Sequence, residues 1–158
     1  MESQDAEKNP VVHKLREWDA AAVSGVVEFR GEITVVVPRT HLVRACEFLS
    51  TDSSLRFSFL SDITPVDRFP IEPRFEVNYQ LLSLDRRERI RLQVWLSGKD
   101  PVVDSVTSVW PTANWHEREA FDLFGIRFEG HPDLKRILMP DDWEGHPLRK
   151  DYPTEGYR

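Results

Sequence analysis

The chain has 158 residues, 40% hydrophobic and 30% charged, with a net charge of -6 at pH 7; that suits one globular domain with a real core and is the wrong sign for a nucleic-acid binder. The single cysteine, Cys46, excludes an intramolecular disulfide and any zinc or iron–sulfur cluster held by thiolates of this chain alone, and fits a reducing compartment. No window approaches the ~18 apolar residues that cross a bilayer, and the opening MESQDAEKNP reads as neither a signal nor a transit peptide, so membrane association is expected only through a partner.

In chain order, residues 1–10 are polar and expected to be disordered. Val11 to Ala22 has helical spacing, with Val12, Leu15 and Trp18 or Asp19 along one side. Gly25 to Arg30 and Ile33 to Val37 are β-rich and flank a short Gly31-Glu32 turn. Thr40 to Leu49 follows Pro38 as a helix burying Leu42, Val43, Cys46 and Leu49. Leu55 to Pro65 reads as a strand. Arg74 to Leu84 and Arg89 to Leu96 alternate as half-buried antiparallel strands around a charged turn. The cluster Arg86, Arg87, Arg89 and Arg91, interrupted by Asp85 and Glu88, reads as a solvated hairpin. The predicted order α-β-β-α-β-β-β-α gives an α+β domain over 11–125, an antiparallel sheet with helices on one face.

The last predicted helix, Pro111 to Phe124, reads PTANWHEREAFDLF, and Gly125 stands at its C-cap. At 100° per residue, Trp110, Ala113, Ala120, Phe121 and Phe124 share one side. Glu117 lies at the centre of that arc, whereas Glu119 and Asp122 fall opposite. An unpaired carboxylate there would cost several kcal/mol. Glu117 is therefore either an acid or base with a raised pKa, or a structural group held by an arginine or backbone N–H groups. The second reading is preferred.

Beyond Gly125, prolines at 132, 140, 147 and 153 break the pattern. Pro132 can open a short helix to Leu138; past Pro140 no regular element of normal length fits. Residues 126–158 are thus read as an extended segment. Gly-His-Pro occurs twice, at Gly130-His131-Pro132 and Gly145-His146-Pro147. Two histidines with Asp133, Asp141 and Asp142 are a possible metal set, and hence a metal-dependent hydrolase, but the spacing matches no compact ligand pattern. No nucleophile motif and no glycine-rich phosphate loop occurs. Adhesion is the better reading. Trp143, Leu148, Tyr152 and Tyr157 are large side chains on a proline-stiffened segment, beside Arg149, Lys150 and Asp151, and aromatic and arginine anchors favour interface centres.

The stretch ANWHEREAFDLFGIRFEGHPDLKRILMPDDWEGHPLRKDYP, 113–153, resembles the signature of the C subunit of proton-pumping NADH:quinone oxidoreductase, respiratory complex I. The segments Ile63 to Asp67, Pro73 to Val77 and Tyr79 to Leu84 look like the same family. The resemblance covers nearly the whole chain after about residue 11. It implies a non-catalytic peripheral-arm subunit that supports electron transfer from NADH to quinone coupled to proton translocation. It implies no catalytic, cofactor or metal site in this chain. Flavin and iron–sulfur clusters would be carried by other subunits, with NADH and quinone as substrates of the complex. The implied partners are the D subunit, which helps form the quinone cavity, and neighbouring iron–sulfur subunits, at the cytoplasmic face of a bacterial inner membrane. The motif residues implied for structure and assembly are Glu117, Arg118, Glu119, Asp122, Gly125, Gly130, His131, Pro132, Asp133, Arg136, Trp143, Gly145, His146, Pro147, Leu148, Arg149, Lys150, Asp151 and Tyr152. The equivalent subunit of related complexes fed by ferredoxin or a deazaflavin, or of a membrane-bound hydrogenase, would look similar.

Overall fold

Asn9 starts the first helix. Its side-chain oxygen accepts from the N–H of Val11 at 2.9 Å, and Pro10 occupies the position where a missing N–H costs nothing. The computed structural model describes residues 6–157. Residues 1–5 of the expected disordered terminus lie outside them. Residues 6–10 are ordered, because Ala6 is buried in the core and Ala6–Lys8 forms a 3-10 turn ahead of the cap. Helix α1 is Pro10–Trp18, shorter than expected. Asp19 turns extended and caps a separate 3-10 turn, Ala20–Ala22. Trp18 stacks on Phe48 of α2 (Leu42–Thr51), with ring centroids 4.8 Å apart.

The hairpin of β1 (Gly25–Phe29) and β2 (Glu32–Val36) turns at Arg30-Gly31, one residue earlier than expected. Both residues have positive φ, 53° and 80°, the two-residue turn whose twist matches the strands. β3 (Phe59–Asp67), β4 (Phe75–Ser83) and β5 (Glu88–Leu96) follow as a meander. Leu55 and Phe57, expected in β3, are fully buried but lie in the irregular segment before it.

The five strands form one sheet in the order β1-β2-β5-β4-β3. The α+β class holds, with one departure from an all-antiparallel sheet: β2 and β5 run parallel, with Thr34 opposite Arg91. Connectivity explains this. Helix α2 crosses over the sheet and delivers β3 parallel to β2; two antiparallel steps back then leave β5 parallel to β2. Phe75, Val77, Tyr79 and Leu81 of β4 and Ile90, Leu92, Val94 and Leu96 of β5 face the core. Strand β4 is buried on its other face too. Glu76 and Asn78 are each 6% exposed, covered by a polar ladder running from Arg68 through Glu76, Asn78 and Gln93 to Trp95.

Two three-residue strands escape periodicity. β6 (Val102–Asp104) and β7 (Arg127–Glu129) pair in parallel on either side of α3 (Ala113–Phe124), a second helical crossover. Gly125 ends α3 with φ 72°.

Cys46 is fully buried, and burial pushes its thiol well above the usual range. A thiol reagent such as DTNB is expected to leave Cys46 unmodified in the native chain and to react stoichiometrically in denaturant. Rapid labelling without denaturant would mean that α2 does not pack as described.

Candidate functional site

Helix α3 carries two buried carboxylates on opposite sides. Glu117 is fully buried, and its partners are not the arginine that the sequence allowed. Its Oε1 accepts from the backbone N–H of Val106 at 2.7 Å and its Oε2 from the Ser105 hydroxyl at 2.6 Å. The carboxylate thus ties α3 to the loop after β6. Burial pushes its pKa up to about 7, and these two hydrogen bonds oppose the rise. The fully buried Tyr79 hydroxyl, which has no hydrogen-bond partner among the described residues, is raised by burial first and by the Glu117 charge second.

Asp122 departs from the helical-wheel expectation. It is fully buried although it lies opposite the apolar arc, because the segment after β7 folds over it. Its Oδ2 accepts from three successive N–H groups, those of Ile137, Leu138 and Met139, at 3.1, 2.7 and 2.8 Å. Its Oδ1 accepts from Arg136 at 2.8 Å. Burial raises its pKa, but the three N–H groups and Arg136 outweigh it, and the net shift is downward. These bonds also explain why the helix expected from Pro132 to Leu138 is absent. The N–H groups that would close it serve Asp122, and Arg118 takes the carbonyls of Lys135 and Arg136. Arg136 reaches on to the carbonyls of Trp143 and Gly145 at 3.0 Å each.

A second clamp fastens the far end of this strap. Arg74 is 8% exposed and holds Asp67 at 2.8 and 2.7 Å and Asp151 at 3.0 and 2.6 Å, both in two-pronged fashion. The N–H of Lys150 donates to Asp67 at 2.8 Å. Burial raises the Asp67 carboxyl, but Arg74 and the N–H groups of Lys150 and Phe69 bring it down to about 2. Arg74 likewise lowers Asp151. Arg149 donates to the Phe124 carbonyl at 2.6 Å and lies over the Phe75 ring. Asp67 and Arg74 stood only inside stretches resembling the family, without a role. They pair across the β3–β4 connection, a proximity that spacing does not encode.

The two Gly-His-Pro corners serve opposite ends of α3. His131 Nε2 meets the Asn114 carbonyl at 3.1 Å, and its Nδ1 accepts from the Asp133 N–H at 3.0 Å. His146 Nδ1 donates to the Asp122 carbonyl at 2.9 Å. Those carbonyls stand eight residues apart, about 12 Å along a helix. Among the described residues, no group of three or more His, Cys, Asp or Glu is placed to hold a metal. Burial lowers the His146 pKa, opposed by the Asp122 carbonyl. His146 lies so close over Gly125 that a Cβ there would come within 2.5 Å of the ring. A Cβ on Gly145 would come within 2.9 Å of both Tyr152 and Tyr157, which pack edge to face with centroids 5.3 Å apart. Glu119, Gly130, Pro132, Asp133 and Lys150 are exposed, and Pro147 is half-buried.

The strap is therefore two-sided. Arg136, Arg149, Asp151 and the N–H groups of Ile137, Leu138, Met139 and Lys150 bond inward, while the side chains of Leu138, Trp143, Leu148 and Tyr157 remain 61%, 39%, 52% and 55% exposed. Trp115, 60% exposed, stands on α3 beneath Arg118.

Each of the two carboxylates can be tested separately. Asp122→Ala strips an acceptor from three N–H groups and Arg136, at a cost of about 3–5 kcal/mol. Trypsin cleavage at Arg136, Arg149 and Lys150 should then accelerate at least tenfold (roughly, for 1.4 kcal/mol or more of local loosening), with Glu119→Ala unchanged. Equal digestion rates would show that Asp122 does not hold the strap. Glu117 acts oppositely on the pH scale. Its folded pKa, about 7, lies above its ordinary 4.5, so its contribution is most favourable below 4.5, declines as pH rises, and is flat above 7. Glu117→Gln keeps an acceptor for Val106 without a charge. Its melting temperature relative to the native chain should rise by roughly 5–10 °C between pH 5 and 8. A pH-independent difference would mean that Glu117 is not buried as a titrating group.

Residues 35–158 match the family of the respiratory-chain NADH dehydrogenase 30 kDa subunit. The C subunit of NADH-quinone oxidoreductase from Geotalea uraniireducens is 49% identical over 151 residues, covering 96% of this chain and 91% of that protein. Its counterpart in Roseiflexus castenholzii is 54% identical over 146 residues, covering 92% and 84%. Among solved structures, the trypsin-resistant fragment (1-134) of Nqo5 superposes with a TM-score of 0.65 at 35% identity, covering 77% of this chain and 97% of that one. A chain of an archaeal membrane-bound sulfane sulfur reductase superposes at 0.77 over 94% of this chain and 86% of its own; at 22% identity the likeness is of fold alone.

Proposed function

This chain belongs to the respiratory-chain NADH dehydrogenase 30 kDa subunit family, the C subunit of NADH-quinone oxidoreductase, and from that premise we propose that it acts as a non-catalytic scaffold whose strap docks on the quinone-site subunit. The observation that carries this is the two-sided strap. Asp122 and Arg74 fasten its polar groups to the chain's own domain. The large apolar side chains that remain outside are those an interface centre favours.

In this reading the body, expected over 11–125, extends from Ala6 through β7, because Ile126 and Phe128 lie in the core, and the remainder of 126–158 after β7 is the docking segment, bound to both the body and the partner. The motif residues divide accordingly. Glu117 seats α3 on the loop after β6, and Arg118, Asp122, Gly125, His131, Arg136, Gly145, His146, Arg149, Asp151 and the Lys150 backbone hold the strap. Trp143, Leu148 and Tyr152 with Tyr157 present it. The chain carries no cofactor of its own: flavin and iron–sulfur clusters lie in neighbouring subunits. Its contribution to the transfer of electrons from NADH to quinone is to hold them in register. Displacements of about 1 Å can cost catalysis ~100-fold. No helix among the described residues is long and apolar enough to cross a membrane. We place the chain on the cytoplasmic side of a bacterial inner membrane, held there by the complex.

The test is co-purification from the native host with the full chain. The native sequence should bring down the quinone-site subunit and the iron–sulfur subunits. Trp143→Ala with Leu148→Asp should weaken that capture about tenfold or more, with the melting temperature of the isolated chain unchanged, since neither side chain is buried. Undiminished capture would overturn the docking role of the strap. Capture of the quinone-site subunit without the NADH-oxidising subunits would assign a different electron donor.

A further inference from the structure

The strap leaves one charged feature unused, at the end of the sheet where the Arg30-Gly31 and Leu84 to Arg87 turns lie side by side. The ladder between β2 and β5 begins only at Thr34 and Arg91. The first residues of both strands fork apart, and a cleft of about 340 Å³ opens there, lined by Gly31, Glu32, Ile33 and Gln80 and by the arginines 87, 89 and 91.

Charge in this cleft is unbalanced for a specific reason. Asp85 is taken by Arg56 at 3.1 Å, and Glu88 by Arg86 at 2.5 Å. Glu32 is taken by Arg91 at 2.7 Å. The nearby carboxylates are therefore engaged, and Arg87 and Arg89, both exposed, have no carboxylate partner among the described residues. Two guanidinium groups thus stand uncompensated on one cleft of a chain whose net charge is -6. Apolar groups flank them. Phe29 is 67% exposed and stands opposite Glu32 in the β1–β2 register, and Leu84 at the start of the other turn is 61% exposed.

We propose that this cleft is a second docking site, taking an acidic segment of a neighbouring subunit that carries carboxylates beside apolar side chains. It rests on the assembly reading for the identity of the partner, but not on the strap. Guanidinium groups accept carboxylates in planar, two-pronged geometry, and Phe29 and Leu84 give such a segment apolar contact. A lipid surface fits less well. The two turns and their flanks carry arginines 30, 86, 87, 89 and 91 against the acidic residues 28, 32, 85 and 88, a net of one positive charge. Attraction to anionic lipid is about 1 kcal/mol per basic residue and needs clusters of roughly four to eight.

The experiment uses the full complex from the native host, with the photo-cross-linker p-benzoylphenylalanine in place of Phe29. Irradiation should join position 29 to a peptide of another subunit containing Asp or Glu. Arg87→Glu with Arg89→Glu should lower the yield about tenfold, and lysines replacing the captured carboxylates should restore it. Both arginines are exposed and lack a carboxylate partner among the described residues, so the double variant should melt like the native chain. Three results would overturn the proposal: no protein cross-link in the assembled complex, cross-links to lipid alone, or a yield indifferent to charge reversal. In those cases the strap reading survives if Trp143→Ala with Leu148→Asp still weakens capture. A chain that co-purifies with nothing overturns both. A charge-dependent cross-link with no effect of the strap variants overturns the strap reading alone.

Discussion

The Asp122 carboxylate gathers three backbone N–H groups and one guanidinium while fully buried, and the conformation of everything after β7 depends on it. A buried ionised carboxylate is tolerated only when its lone pairs are filled. Here the filling groups come from residues 136–139, so the charge can be buried only if the chain passes over α3 at that point. The same requirement forbids a helix from Pro132 to Leu138. It also places Arg136 where it can hold the carbonyls of Trp143 and Gly145, carrying the constraint nine residues onward.

Arg74 completes the arrangement by a related device. Its guanidinium is shared between Asp67 on its own sheet and Asp151 on the strap, so one side chain fixes the β3–β4 connection and the chain's last turns together. Polar anchors differ from apolar ones here in consequence as well as in strength. Directional hydrogen bonds fix register, whereas a strap held by its own Trp and Leu side chains would have consumed the groups an interface needs. The net contribution of such buried pairs to stability is small, since desolvation offsets much of the attraction. Their effect is to select one placement of the strap over its alternatives.

Much of the body was legible because its pattern is local. Alternation in β4 and β5, the C-cap at Gly125 and the arc around Glu117 each depend on neighbours within a few residues, and each holds. The arc also demands hydrogen-bond partners for Glu117, and one of them is a backbone N–H as expected, although neither Ser105 nor Val106 could be named from the sequence. What was not legible depends on contacts distant in sequence. Asp122 lies on the solvent side of an isolated helical wheel, and only the strap reverses that. Leu55 and Phe57 signal burial, which an irregular segment satisfies as well as a strand. β6 and β7 are too short for any periodicity, and the parallel β2–β5 pair follows from where α2 delivers the chain. That the strap leaves large side chains exposed was legible as composition, in Trp143, Leu148 and Tyr157 among prolines. Its inward anchoring was not, because Asp67 and Asp151 are 84 residues apart in the chain.

Anchoring has a further consequence for assembly. Fixing a backbone residue costs roughly 1–2 kcal/mol, so a loose tail of some twenty residues would lose tens of kcal/mol of conformational freedom on docking. With the strap already ordered by Asp122 and Arg74, that loss is taken during folding, where the chain's own hydrogen bonds offset it. A partner docking as proposed would meet a fixed row of apolar side chains and need only modest contact area to bind. The same anchors make the strap's attachment to the body pH-sensitive in a defined direction. Asp67, Asp122 and Asp151 all have lowered pKa values, so their contribution is intact above the ordinary carboxylate range and is lost as pH falls below it through the lowered values, about 2 for Asp67. Acid should therefore loosen the strap, while Glu117, titrating oppositely, keeps α3 seated on the loop after β6.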